Sequence, residues 1–222
     1  ISTIKEYYDT HKPSSVILNF KHLDSNNPII NRSIREYEKF LKHTAGEMDN
    51  AGSIYNFVPL GPTITCTALT YISVGGIPPK KATEDFYFLQ QLCKYDVVNY
   101  IDNVMVLPSS RFSERVYLGT GYRMGTVTKG GKIDELYFSK KAFNILKNWI
   151  KLAVSSYSSS LNTLIDKIEA IDSDLLDFLK SQNLDRKWDA IKSSSPTQEH
   201  FEMQFHRYFD WLKTIKLLKY YS

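Results

Sequence analysis

The chain has little sulfur chemistry to offer. Its 222 residues include only two cysteines, Cys66 and Cys93, too few for a disulfide framework and without the spacing of a zinc site. A reducing compartment is the default for such a protein. Long apolar runs are also missing. No stretch of about 18 apolar residues occurs, and mean hydropathy is −0.32, so the sequence predicts no transmembrane helix. The start, Ile1-Ser2-Thr3-Ile4-Lys5-Glu6, lacks both the basic-then-apolar order of a signal peptide and an initiator Met. That suggests an excised or partly represented chain. Net charge is only +4, which permits anionic ligands but does not argue for nucleic acid. No P-loop, zinc-finger, RNP or Gly-x-Ser-x-Gly pattern is present, and there is no internal repeat.

What is present is material for a core. Apolar residues make up 42%, with 15 Tyr and 12 Phe, enough for one large domain or a domain with an appendage. Residues 1–10 read as the end of a helix, with Ile1, Ile4 and Tyr8 at helical spacing, stopped by Pro13. Ser15–Phe20 reads as a buried strand. A capping box at Ser33 and Glu36 predicts a helix start, with Ile34, Tyr37, Leu41, Ala45 and Met48 on one face. Short strands are predicted near 56–60 and 63–66, then a helical turn near 67–73. Asp96–Leu107 reads as two strands or one bent strand. Such alternation indicates an α/β architecture.

The remainder is predicted helical. Phe143, Leu146, Trp149, Ile150 and Ala153 share a face. Ser195 with Gln198 predicts a capping box for a last helix carrying Phe201, Phe205, Tyr208, Leu212 and Ile215. Its basic end, Lys213, Lys216 and Lys219, allows a weak membrane-surface contact or snorkelling lysines on a packed helix. Asp172-Ser173-Asp174 has the form of a Mg²⁺ or Mn²⁺ motif, but its place between helical segments favours capping. The histidines, His11, His22, His43, His200 and His206, lack zinc spacing. His22, just past the buried strand, remains a metal or substrate candidate.

One stretch concentrates the chemistry. Gly75-Gly76-Ile77-Pro78-Pro79-Lys80-Lys81 makes a rigid bend with a short basic loop. Thr83 is the predicted N-cap of the helix that follows, with Glu84 and Asp85 in its first turn. Acids there stabilise a helix whatever else they do. Carboxylates beside a glycine bend are also generic site candidates. Gly61, Thr63 and Thr65 form a small-residue segment just ahead. Beyond, Arg111, Arg115 and Arg123 with Gly119 and Gly121 make a basic loop suited to a phosphate.

Taken in order, these pieces resemble the family 2 glycosyltransferases, specifically bacterial members akin to the galactosyltransferase carboxy-terminal region. The resemblance runs from Phe20-Lys21-His22 through Arg35-Glu36-Tyr37-Glu38, Ala51-Gly52-Ser53, Leu60-Gly61-Pro62 and Cys66. It continues through Gly75-Gly76 and Glu84-Asp85-Phe86-Tyr87 to Arg111-x-Ser113-x-Arg115-x-x-x-Gly119-Thr120-Gly121. It implies a GT-A fold over residues 1–127, with 128–222 a helical extension, and inverting sugar transfer from a nucleotide-diphosphate donor to a glycan or lipid-linked acceptor. Asp85, with Glu84 beside it, takes the place of the general base. Thr63, Thr65, Gly75 and Gly76 would shape the sugar site, and Arg111 and Arg115 would steady a diphosphate or an anionic acceptor. The family works with a divalent metal, Mg²⁺ or Mn²⁺, held by an Asp-x-Asp motif that lies before the equivalent of Ile1, so no metal ligands are expected here. The chain alone is then expected to transfer little, and its sheet to carry an exposed edge open to self-pairing. The resemblance also implies a cytoplasmic location. The alternative is a non-catalytic carbohydrate-binding or protein-interaction module derived from the same fold.

Overall fold

The structure is a computed structural model that describes residues 1–110 and 137–222. It is a mixed α/β protein, mostly helical, with a small three-stranded sheet. Two units divide it: residues 1–43 with 57–137, and residues 44–56 with 138–222. The boundary expected at 127 falls among residues outside those described.

The first unit is built on strand β1, Ser15–Phe20. Val16, Ile17, Leu18 and Phe20 are all buried, which a nearly continuous apolar run requires of a central strand. β2, Ile64–Cys66, pairs with it antiparallel. β3, Val98–Val106, pairs with it parallel on the other side. The register runs Leu18 to Ile101 and then jumps to Asn19 opposite Met105, so β3 is one strand bent by an irregularity. Val16, Leu18 and Ile101 form a core cluster against Ile4, Tyr7 and Tyr8 of helix α1, Ser2–His11.

Helix α2, Pro28–Asn50, starts earlier than its expected capping box. Asn27 Oδ1 accepts from the N–H groups of Ile29 (2.9 Å) and Ile30 (3.4 Å), and Pro28 takes the first helical position. Ser33 therefore lies inside the helix, buried. The run 56–60 forms no strand. Pro59 and Pro62 remove backbone donors, and a 3-10 turn, Gly61–Thr63, leads into β2. Helices α3, Ala68–Ser73, and α4, Glu84–Tyr95, complete the path to β3.

The second unit is a set of short helices: α5 (Lys140–Val154), α6 (Leu161–Ile171), α7 (Ser173–Ser181), α8 (Leu184–Ser193), α9 (Gln198–Tyr208) and α10 (Trp211–Tyr220). Side-chain oxygens begin most of them. Ser139, Ser160, Asp172, Thr197 and Asp210 each accept a first-turn N–H. Thr197 is the cap expected at Ser195, whose hydroxyl instead donates to the Ile191 carbonyl. Asp210 splits the expected last helix in two, because its carboxylate caps a fresh start at Lys213 N–H (3.2 Å). The core surrounds Trp149, whose ring meets Phe205 and Phe209 edge-on. Phe143, Leu146, Ile150 and Ala153 are buried beside it. Tyr55 is fully buried in this unit, its hydroxyl donating to the His206 carbonyl at 2.6 Å. Among the described residues, no helix is long and apolar enough to cross a membrane.

Candidate functional site

The site grows from the start of α4. Thr83 occupies the position before the helix with φ 64°, and its hydroxyl donates to the Ala82 carbonyl rather than capping. This corrects the expected cap. The left-handed backbone at Thr83 turns its side chain away from the first-turn N–H groups. The Asp85 carboxylate serves them in part: its Oδ1 accepts from Phe86 N–H (2.8 Å). Its Oδ2 accepts from Gly61 N–H (3.3 Å), linking α4 to the 3-10 turn.

Between these elements lies a cavity of about 350 Å³, walled by Leu60, Gly61, Pro62, Ile64, Ile77, Glu84, Asp85 and Phe88. Apolar side chains dominate it, with two carboxylates on one side. Burial pushes the Asp85 carboxyl above the usual aspartate range, and the Glu84 charge adds to the shift. The N–H groups of Phe86 and Gly61 offset part of it. Such a group holds its proton more tightly than a surface aspartate and is a stronger base when ionised.

Gly75 and Gly76 act through the turn they make. Both have positive φ, 80° and 69°, and they close α3 with Gly75 N–H donating to Ile72 O (3.0 Å) and Gly76 N–H to Tyr71 O (2.8 Å). The Tyr71 ring lies so close over Gly76 that an added Cβ would meet it at 3.0 Å. The same ring meets Phe88 edge-on at 5.7 Å. The bend thereby delivers Ile77 to the cavity wall.

Thr63 and Thr65 turn into the fold instead. Thr63 is fully buried, its hydroxyl donating to the Leu60 carbonyl at 2.7 Å. Thr65 donates to the Val16 carbonyl at 3.1 Å and sits 3.0 Å from the Tyr8 hydroxyl. Neither lines the cavity. Arg111 and Arg115, with Gly119 and Gly121, lie outside the described residues. The apolar walls Leu60, Pro62, Ile64, Ile77 and Phe88 were not singled out as site residues by the sequence, because an apolar side chain in a pocket looks like one in a core.

His22 belongs to a different cluster of the same unit. It is buried, and Glu38 Oε1 accepts both its backbone N–H (2.6 Å) and its Nδ1 hydrogen (2.8 Å). Arg35 donates to Glu38 Oε2 (3.0 Å), the His22 carbonyl (2.7 Å) and Asp24 (2.5 Å). The arrangement ties the loop after β1 to α2 and leaves His22 oriented by protein partners.

Among the described residues no group of three or more His, Cys, Asp or Glu could hold a metal ion. The Asp172-Ser173-Asp174 motif does not fit one. Asp172 Oδ1 accepts from the N–H groups of Asp174 (3.0 Å) and Leu175 (3.3 Å) and from the Tyr221 hydroxyl (2.8 Å). The Lys141 ammonium lies 3.4 Å from its other oxygen, where a cation would be repelled. A larger groove of about 650 Å³ in the second unit is lined by Lys147, Lys151, Gln198, Glu202 and His206 among others. Burial pushes the His206 imidazole down to about 4. No family model, curated protein or solved structure matches the chain.

Proposed function

We propose that the cavity at Asp85 is the acceptor side of an inverting glycosyltransferase site of the GT-A, family 2 type. The observation that carries the reading is a carboxyl group with a raised proton affinity, set in an apolar cavity at a helix mouth. The order β1–α2–β2–α3–α4–β3 and the Glu84-Asp85 pair at the start of α4 support the family assignment.

In this reading the acceptor hydroxyl hydrogen-bonds to Asp85. As its oxygen attacks the anomeric carbon, its proton passes to the carboxylate. The bond from that carbon to the diphosphate oxygen breaks, and its electron pair leaves with the nucleoside diphosphate. Positioned proton removal of this kind contributes roughly 10²–10⁴ in rate. Negative charge from the Glu84-Asp85 pair also favours the positive charge that develops on the sugar. The apolar walls exclude water, which strengthens both effects. Gly75 and Gly76 hold the wall by their turn, and no donor-side or metal-binding role is assigned to the described residues.

The test is Asp85→Asn in the full gene product that carries these residues. Asparagine keeps an oxygen for Phe86 N–H, so the fold and donor binding persist, while transfer falls by roughly 10²–10⁴. Turnover retained at the original rate removes Asp85 from the mechanism.

A further inference from the structure

The outward side of α3 is apolar. Thr70 faces the fold and is buried. At about 100° per residue, Ile72 points away from it and Leu69 and Tyr71 flank Ile72. Exposure follows that order: Ile72 74%, Leu69 71% and Tyr71 42%. Ile77, just past the glycine turn, is 51% exposed, and its N–H donates to the Tyr71 hydroxyl at 3.4 Å. Single exposed apolar residues are ordinary, whereas a group of four between positions 69 and 77 is a patch.

The exposed charges next to the crest in sequence are cationic, while the acids Glu84 and Asp85 line the cavity with Ile77 and are half-buried. From Asn50 to Thr83 the sequence contains no acid, and its only charges are Lys80 and Lys81. Both lysines are exposed, directly beyond Pro78-Pro79. Lys80 Nζ lies over the Tyr87 ring, 4.3 Å from its centroid, at the start of α4. The amphipathic helix α10 offers no comparable surface, since Trp211, Leu217 and Leu218 are buried within the second unit.

We propose that the α3 crest and its lysine pair dock on an anionic lipid bilayer. Ile72, Leu69 and Ile77 enter the boundary between headgroups and acyl chains. Tyr71 takes the headgroup level, where amphipathic rings are favoured. Lys80 and Lys81, both exposed, meet the lipid phosphates. The exposed lysine pair beside the crest is what favours an anionic surface over a neutral one. Ile77 belongs both to the crest and to the cavity wall, so docking brings the Asp85 cavity to the bilayer surface. On the transfer reading, the acceptor is then a hydroxyl anchored in lipid. The docking itself does not rest on that reading.

The experiment is sedimentation of the full chain with vesicles of phosphatidylcholine alone or mixed with phosphatidylserine, without any sugar nucleotide. Variants are Leu69→Ser with Ile72→Ser, and Lys80→Gln with Lys81→Gln, each checked for folding by circular dichroism. The expected result is salt-sensitive binding to the serine-lipid vesicles only. It weakens roughly tenfold or more in the serine pair and about fivefold for each lysine removed. A folded chain that does not bind these vesicles overturns the proposal, as does binding unchanged in both variants. Self-association that the serine pair abolishes, without vesicle binding, assigns the crest to a second copy of the chain instead. Because no transfer is measured, each outcome is independent of whether Asp85 acts as a base.

Discussion

Replacing Glu38 by Gln tests the buried polar cluster that fixes the loop after β1. Glu38 is 7% exposed, and its two oxygens serve three donors: His22 N–H, His22 Nδ1 and Arg35 Nη1. Glutamine has one acceptor oxygen. If that oxygen keeps the His22 bonds, the amide NH₂ faces the Arg35 guanidinium, donor against donor. If the amide is reversed, two His22 donors are orphaned. Either way a charge-assisted bond is lost, and the expected cost is about 2–3 kcal/mol at pH 7. The pH dependence follows from the direction of the Glu38 shift. Burial raises its pKa, but the bonds from His22 and Arg35 outweigh that and hold it below the usual glutamate range. Its contribution is therefore complete above the ordinary value of about 4.3 and is lost as pH falls through the lowered one. Protection of the His22 amide against hydrogen exchange reads the cluster directly. Tryptophan fluorescence does not, since Trp149, Trp188 and Trp211 all belong to the second unit. The expected loss of protection is roughly thirty- to 150-fold at pH 7, vanishing once Glu38 is protonated in the parent protein. Equal protection at pH 7, or a deficit that persists unchanged in acid, refutes the reasoning.

Other consequences are equally specific. The half-buried His206 imidazole, pushed down to about 4, is favoured neutral in the fold, so stability falls as pH drops from about 6.5 toward 4. Acid denaturation of His206→Gln loses that slope if the burial is correct. Gly75→Ala costs about 1 kcal/mol for its left-handed backbone, because nothing lies within 4 Å of the added Cβ. Gly76→Ala costs more, since the Tyr71 ring must also move from 3.0 Å, and equal urea midpoints for the two variants contradict that contact. Trp149→Ala, at the centre of the second unit's aromatic cluster, lowers stability by about 3–5 kcal/mol. A thermal shift near zero counts against that core.

Elements whose cause is local were legible in the sequence. β1 shows itself because a strand buried on both faces needs an unbroken apolar run, and Val16–Leu18 supplies it. The face of α5 follows from helical spacing, and Asp172 reads as a cap because its partners, Asp174 N–H and Leu175 N–H, are its own neighbours. Errors came where two local signals compete. Asn27-Pro28 starts α2 ahead of Ser33, and Thr197 caps α9 in place of Ser195. Asp210 interrupts a periodicity that alone reads as one helix.

The site was legible only as residue types. Glu84 and Asp85 stand out at a helix start, but the raised proton affinity of Asp85 comes from burial against a turn 24 residues away. No local pattern announces that. Thr63 and Thr65 had suitable side chains in a suitable segment, yet their hydroxyls are committed to the Leu60 and Val16 carbonyls. Which way a threonine in a short strand points depends on the register with β1, which spacing alone does not contain.

The most direct test of the central proposal is release of UDP or GDP from a panel of UDP- and GDP-sugars by the full gene product, supplied with lipid and glycan acceptors. It is compared with Asp85→Asn at matched folding. The account predicts acceptor-dependent release with at least one donor, falling roughly 10²–10⁴-fold in the variant while donor binding persists. Release that is unchanged in Asp85→Asn, or absent with every donor and acceptor, contradicts it.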